Sequence, residues 1–389
     1  MGFLTWLFEY KLVIIFYLAI IAIVFFKKKK FDFQAKFIAL YRTQIGIKSM
    51  HKFSEYFGKY IRGFSYIGIF IGYAGMILIV YFLFEGFYKL LFIPEAPATL
   101  APVLPGIHIP GSPIFVPFWY GITALFIVVT IHEFSHGIVS AAHKIRVKNS
   151  GIVFFGPLIG AFVEPDEKNL KKKNWWVQES IFAAGPVSNA LLSLIIAPIL
   201  IFLLFPTISN MMIPTGFFFE EVSDGFPAME AGVKSKIIYT AVNGEIVNNA
   251  SFLDNLLQEV KPGDEISISN ENLTHIIHTT THPENPEKAY LGIVGLQTQS
   301  ELKNQNNKWF VDLLVIIAKF LQWVFILSIG IGLANLLPLG PVDGGRMLLL
   351  SFNKWFGEKR SRVLFSRISI FFLSMIIILV FVPILKAIL

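Results

Sequence analysis

The chain has 389 residues, of which 54% are hydrophobic and only 15% charged; soluble domains carry about 25% charged residues, so an ordinary soluble fold is excluded. Cysteine is absent, which rules out a disulfide framework and thiolate ligation and leaves His, Asp and Glu to hold any metal. In so apolar a chain, a net charge of +7 reads as basic loops retained in the cytoplasm, not as a nucleic-acid surface.

About 20 apolar residues are needed to cross a bilayer, and six stretches meet that length: 8–26, 64–84, 118–141, 180–205, 313–337 and 368–388. In the first, Lys27 to Lys30 follow the apolar run. A cleaved secretory signal has its positive charges in front, so this stretch reads as an anchor. Segments 27–63, 142–179 and 343–367 are basic, and 85–117 and 206–312 are not. The alternation predicts a multi-pass protein of the cell membrane with both termini and segment 206–312 extracytoplasmic. The basic, partly apolar segment 27–63 reads either as an amphipathic helix on the inner membrane surface or as a plain cytoplasmic connector. Segment 85–117 is rich in Pro and Gly and predicts an irregular loop.

The third stretch ends His132-Glu133-Phe134-Ser135-His136. Residues four apart share a helix face, so both imidazoles of this H-E-x-x-H can reach one ion. Glu133 is turned by about 100° from His132, which lets its carboxylate meet a water at the metal as general base without being a ligand. Two His and one Glu in an apolar span cost several kcal/mol each when unpartnered. The alternative is a polar cluster bridging helices without metal.

Catalytic zinc takes three protein ligands and keeps one position open. The fifth stretch runs into Asn335-Leu336-Leu337-Pro338-Leu339-Gly340-Pro341-Val342-Asp343-Gly344-Gly345. Its predicted direction puts Asp343 at the depth of the two histidines. The prolines break the helix and the glycines allow a tight turn. A helix exit with ordinary turn residues reads equally well there.

H-E-x-x-H in one span and N-x-x-P-x-x-x-x-D-G at the end of a later one resemble the site-2 protease family of intramembrane zinc metalloproteases. That resemblance implies a single Zn2+ held by His132, His136 and Asp343, with Glu133 as the general base. It implies an active-site role for Asn335, whose amide suits a developing oxyanion. Ala184-Gly185-Pro186-Val187-Ser188-Asn189 matches the family's G-P-x-x-N, which points to Asn189 as a substrate-backbone contact. Gly160, Ala161 and Phe162, within the apolar stretch 156–163, resemble the family's membrane-facing hairpin, whose edge could pair with an extended substrate.

Segment 206–312 alternates strand and turn signals. Val222 to Ala228 with Ala231-Gly232-Val233 resembles the start of a PDZ domain, a module that binds peptide ends. Asn243-Gly244 marks a hairpin turn, Leu253 to Val260 a short helix, and Lys261 to Asp264 the next turn. His275, His278 and His282 read as surface residues and not as a second metal site. With 14 acidic against 6 basic residues in 206–312, nucleic acid is disfavoured.

The expected architecture is a polytopic α-helical membrane protein of about six transmembrane helices with an inserted PDZ-like α/β domain. Its parts are a two-span region (1–117), a first catalytic part (118–205), the inserted domain (206–312) and a second catalytic part (313–389). The expected partners are membrane proteins with a transmembrane segment, a protease that makes a first cut, and peptide ends at the PDZ-like domain. A membrane zinc protease of another family would need a Glu ligand from a separate helix, and Glu164, Glu167 and Glu179 are not obviously placed for it. A non-enzymatic transporter or scaffold would tolerate loss of the metal.

Overall fold

The computed structural model describes residues 10–388 apart from 35–37, 94–97, 101, 113, 156–157 and 284. Two compact units emerge. One comprises residues 1–91, 97–200 and 319–389, the other 92–96 and 201–318.

The first unit opens with helix α1 (Lys11–Phe26) and a basic turn (Lys28–Lys30), followed by strands β1 (Asp32–Gln34) and β2 (Ile38–Thr43). Helix α2 (Ile47–Phe92) follows. Then come helix α3 (Phe118–Ala142), strands β3 (Val147–Phe155) and β4 (Leu158–Pro165), the short α4 (Glu167–Lys171) and helix α5 (Trp175–Pro198). Five helical segments are long and apolar enough to cross a membrane: Ile47–Phe92, Phe118–Ala142, Trp175–Asn210, Gln305–Asn335 and Glu358–Ala387. Lys11–Phe26 is apolar but shorter; residues 8 and 9 of that first expected span lie outside the described residues.

A helix satisfies its backbone groups internally, which is what a bilayer demands. Helix α2 is far longer than the expected 64–84. It runs 46 residues, about 69 Å at 1.5 Å per residue, more than twice a hydrocarbon core of about 30 Å. Its buried face recurs every third or fourth residue and is rich in small side chains, with Ser54, Gly58, Ser65, Gly68 and Gly72 among them. Small residues let helix backbones approach closely. Because α2 continues to Phe92, the irregular loop begins later than residue 85. Within Trp175–Asn210, the stretch Ile199–Leu204 is π-helical. It directly follows Pro198, which has no N–H to give to the preceding turn.

Within segment 27–63, residues 47–63 are helical as the start of α2, whereas 32–34 and 38–43 are strands and depart from the helical reading. Strands β1 to β4 form one antiparallel sheet in that order, with Leu40 opposite Val153 and Ile152 opposite Ala161. The hairpin 147–165 would leave a row of unpaired amides and carbonyls on β3. Residues 38–43 satisfy that row, with Ala39 and Leu40 buried. Pairing therefore overrides the helical reading. Phe37, Gly156 and Pro157 lie outside the described residues.

The first unit also holds most of helix α9 (Lys308–Asn335), α10 (Asp343–Phe356) and α11 (Glu358–Ile388). Its core joins Met76 and Ile79 of α2, Ile181 to Ala184 of α5, Leu336 and Met347.

In the second unit a long ladder pairs β5 (Met212–Val222) with β12 (Ile293–Leu302). A four-stranded sheet runs in the order β7 (Glu245–Ile246), β6 (Ala241–Val242), β8 (Glu265–Ser269) and β9 (Thr274–His278). Asn243 and Gly244 both have positive φ, 52° and 80°, as a type I′ hairpin requires. A helix over Ala250–Glu259 starts three residues earlier than expected because the Asn249 side chain accepts from the Phe252 N–H and caps it. The Lys261–Asp264 turn leads into the Glu265–Ser269 strand, with Asp264 accepting the Lys261 N–H at 2.8 Å. Phe217, Phe219, Tyr239, Leu253, Ile266 and Leu291 form its fully buried core.

Candidate metal centre

Helix α3 supplies His132, Glu133 and His136 near its C-terminal end. The two imidazoles sit one turn apart, with ring centroids 5.0 Å from each other. Asp343 lies in the first turn of α10. The chain reaches it by folding back after α9. A Cβ on Gly344 would collide with the Leu336 carbonyl, and one on Gly345 with the Leu339 carbonyl. The Gly-Gly pair thus permits the close approach that brings Asp343 to the histidines.

Asp343 Oδ2 stands 3.0 Å from His132 Nε2 and 3.3 Å from His136 Nε2. His132 and Asp343 are buried and His136 is nearly so. One donor atom from each residue falls within 4.8 Å of the others, the only such His/Asp/Glu group among the described residues. A tetrahedral zinc with bonds of 2.0–2.1 Å sets its ligand atoms about 3.3 Å apart, so the two aspartate distances fit that metal.

The outer nitrogens fit it too. His136 Nδ1 donates to the Ile181 carbonyl at 2.6 Å, which leaves Nε2 free of its proton and able to ligate. His132 Nδ1 lies 3.3 Å from the Asn189 side-chain amide, whose Oδ1 is buried without a partner. With the amide's O and N exchanged, an assignment that the hydrogen-bond network decides, Nδ1–H donates to Oδ1 and leaves Nε2 able to ligate. Both partners come from α5. That helix meets the histidines at Gly185, where a Cβ would lie 2.5 Å from His136 Nε2 and closer still to His132 Nε2. The missing side chain is the room between the two nitrogens.

Glu133 does not join the ligand group. Its Oε2 accepts the Val163 N–H of β4 at 3.1 Å. Strand β4 is the outer strand of its sheet, so this amide lies on the side without a partner strand. His132, Glu133, His136, Asp343 and Asn335 all line one cavity of about 350 Å³. The Asn335 amide donates to its own helix at the Ile331 carbonyl, 3.0 Å away. Asn189 reaches the site only through His132. Gly160, Ala161 and Phe162 do not line the cavity; the strand enters it at Val163, Glu164 and Pro165. They pair instead with Val153, Ile152 and Gly151 of β3.

Glu164 and Glu167, considered above only as ligands of another family, line the same cavity together with Arg346. Asn149 Nδ2 donates to Glu164 Oε2 at 2.9 Å, and Arg42 Nε donates to the same oxygen at 3.3 Å. The Asn149 bond and the Arg42 charge hold the Glu164 carboxyl below the usual range, and Arg42 also pairs with Asp32. Arg346 reaches Glu167 at 3.4 Å and lies 4.4 Å over the Phe182 ring. It stands one turn past Asp343, a spacing that puts both on one face and could have marked it. Glu179 is buried in α5 and bonded to Ser351. Of His275, His278 and His282, the first is tied to the Ala231 carbonyl at 2.8 Å.

Residues 120–379 match the family model described as peptidase family M50. Uncharacterized protein MJ0971 of Methanocaldococcus jannaschii is 28% identical over 315 residues, which cover 78% of this chain and 74% of that protein.

Proposed function

Because the chain belongs to peptidase family M50, the site-2 protease family of membrane zinc metalloproteases, we propose that it cleaves the transmembrane segments of membrane-protein substrates near the cytoplasmic face. The observation that carries this reading is the convergence of His132, His136 and Asp343 with Glu133 on the same cavity. His132 Nε2, His136 Nε2 and the Asp343 carboxylate would hold one zinc ion. When bound, zinc supplies a Lewis acid that makes water nucleophilic near neutral pH and polarises the scissile carbonyl.

The protein's own groups do the rest. The Ile181 carbonyl and the Asn189 amide fix the tautomers that aim both Nε2 atoms inward. Glu133 takes the proton of the attacking water on its carboxylate and passes it to the departing amine, a general acid–base role worth about 10²- to 10⁴-fold. The Asn335 amide turns from the Ile331 carbonyl toward the oxyanion. An extended substrate pairs with the outer side of β4 at Val163, so that its peptide bond meets Glu133. Burial of the site keeps bulk water from competing.

The second unit supports a PDZ-like role. Its β5–β12 ladder, its second sheet and its short helix fit a module that receives peptide ends or screens ectodomains after a first cut by another protease. The basic segments favour an arrangement in the cell membrane with both termini and this unit extracytoplasmic. Purified protein in detergent, a single-span model substrate and metal analysis test the activity. Glu133→Gln should keep stoichiometric zinc and lose cleavage by at least about 100-fold. A variant that cuts at the normal rate sinks the proposal.

A further inference from the structure

Helix α2 lies outside the family-matched residues 120–379, yet it packs deep into the metal-bearing part of the molecule. At Gly72 it comes so near α10 and α5 that a Cβ would sit 3.0 Å from the Met347 side chain and 3.4 Å from that of Ala183. Beside this contact Tyr73 Oη lies 2.6 Å from Ser351 Oγ, and Ser351 Oγ donates to Glu179 Oε1 at 3.1 Å. Tyr73 Oη also lies 3.2 Å from Glu179 Oε1 and 3.3 Å from the Met347 carbonyl, so the two hydroxyls and the carboxyl form one relay that Tyr73 closes on Glu179. Ser351 and Glu179 are buried, at 1% and 0% exposure, where an unmade hydrogen bond is costly. Three helices are thereby pinned at one point.

That point bears on the metal ligands through α5. The same helix gives Ile181 O to His136 and Asn189 to His132, and Glu179 stands two residues before Ile181. Asp343 begins α10, and Ser351 lies eight residues along it, about 12 Å at 1.5 Å per residue. A helix is stiff over such a length, so anchoring Ser351 to α5 limits how α10 can slide or rotate.

We propose that Tyr73, Ser351 and Glu179 are positioning residues for the metal centre: their hydroxyl relay refers the Asp343 carboxylate to the same helix that orients both imidazoles. The inference rests on the zinc reading of the His132–His136–Asp343 group. It also gives α2 a task in an enzyme whose matched core does not contain it.

The test uses the full chain in detergent and measures zinc affinity by competition with a chromophoric chelator. Partners of metal ligands typically contribute about 10- to 100-fold in affinity; for this more distant relay, Tyr73→Phe and Ser351→Ala should each weaken zinc binding about threefold to tenfold. The double variant should lose less than the product of the two single losses, because the hydroxyls bond each other as well as Glu179. Glu179→Gln keeps an accepting oxygen and should stay within about twofold of wild type, whereas Glu179→Ala should match Ser351→Ala. A residue that merely supports the fold would not show this rescue and non-additivity. If Ser351→Ala fails to fold, Tyr73→Phe, which removes one oxygen and leaves the ring, decides the matter. Wild-type affinity in Tyr73→Phe, or additive losses in the double variant, overturns the relay. A wild-type chain that binds no zinc overturns the metal reading together with it.

Discussion

Replacing Gly185 by alanine adds one methyl group at the place where the two imidazole nitrogens converge. The new Cβ would stand 2.5 Å from His136 Nε2 and 2.6 Å from His132 Cε1, whereas ordinary carbon contacts begin near 3.5 Å. At least one ring must retreat by roughly 1 Å, and metal sites tolerate only about ±0.2 Å in ligand distance. His136 cannot retreat freely, because its Nδ1 is tied to the Ile181 carbonyl at 2.6 Å. Binding energies of about 10–16 kcal/mol for four-ligand zinc sites amount to roughly 3–4 kcal/mol per ligand. Losing one ligand therefore costs about two to three orders of magnitude in affinity, at 1.4 kcal/mol per tenfold. Chelator competition on the purified variant measures this directly, with its thermal midpoint in chelator as the control for folding. Wild-type affinity in Gly185→Ala would show that the ion does not sit between these nitrogens.

Asp343→Ala removes the carboxylate outright and should weaken zinc by a similar two to three orders of magnitude, read by the same competition. Gly151→Ala places a methyl against the Tyr41 carbonyl of β2 and 2.9 Å from the Phe162 ring; overpacking of this kind costs about 1–3 kcal/mol, and the β1–β2 segment should become more open to added protease. His143, just past the end of α3, is buried, and burial together with the Arg62 and Lys173 charges pushes it down to about 4 from 6.5. The folded chain then binds this proton only below about 4 and the unfolded chain already near 6.5, so stability should rise with pH across that window and be fully present above it. Unfolding midpoints between those limits should show the slope in wild type and a flatter line in His143→Gln.

The candidate metal group was legible because its signal is local in one case and a family resemblance in the other. His132 and His136 are one turn apart on one helix, whereas Asp343 stood out through the resemblance of its segment to the family's second motif. The lengths of the apolar runs likewise located α3 to within a residue or two. The strand residues of segment 27–63 misled for a physical reason. Ile38 to Thr43 form a strand only because β3 presents unpaired amides more than a hundred residues later, and nothing in the local pattern records that partner. Arg42 and Arg346 were hidden in the same way, since each matters through a contact with Glu164 or Glu167 from a distant part of the chain. That β4 meets Glu133 at Val163, past the Gly160–Phe162 stretch marked by the hairpin reading, was not legible, because it depends on how the sheet packs on α3.

The Val163 amide has one proton to give, and Glu133 holds it. A peptide laid along β4 can claim that donor only by evicting the carboxylate. On the proposed function, docking of a substrate and release of one carboxylate oxygen of Glu133 are then the same event.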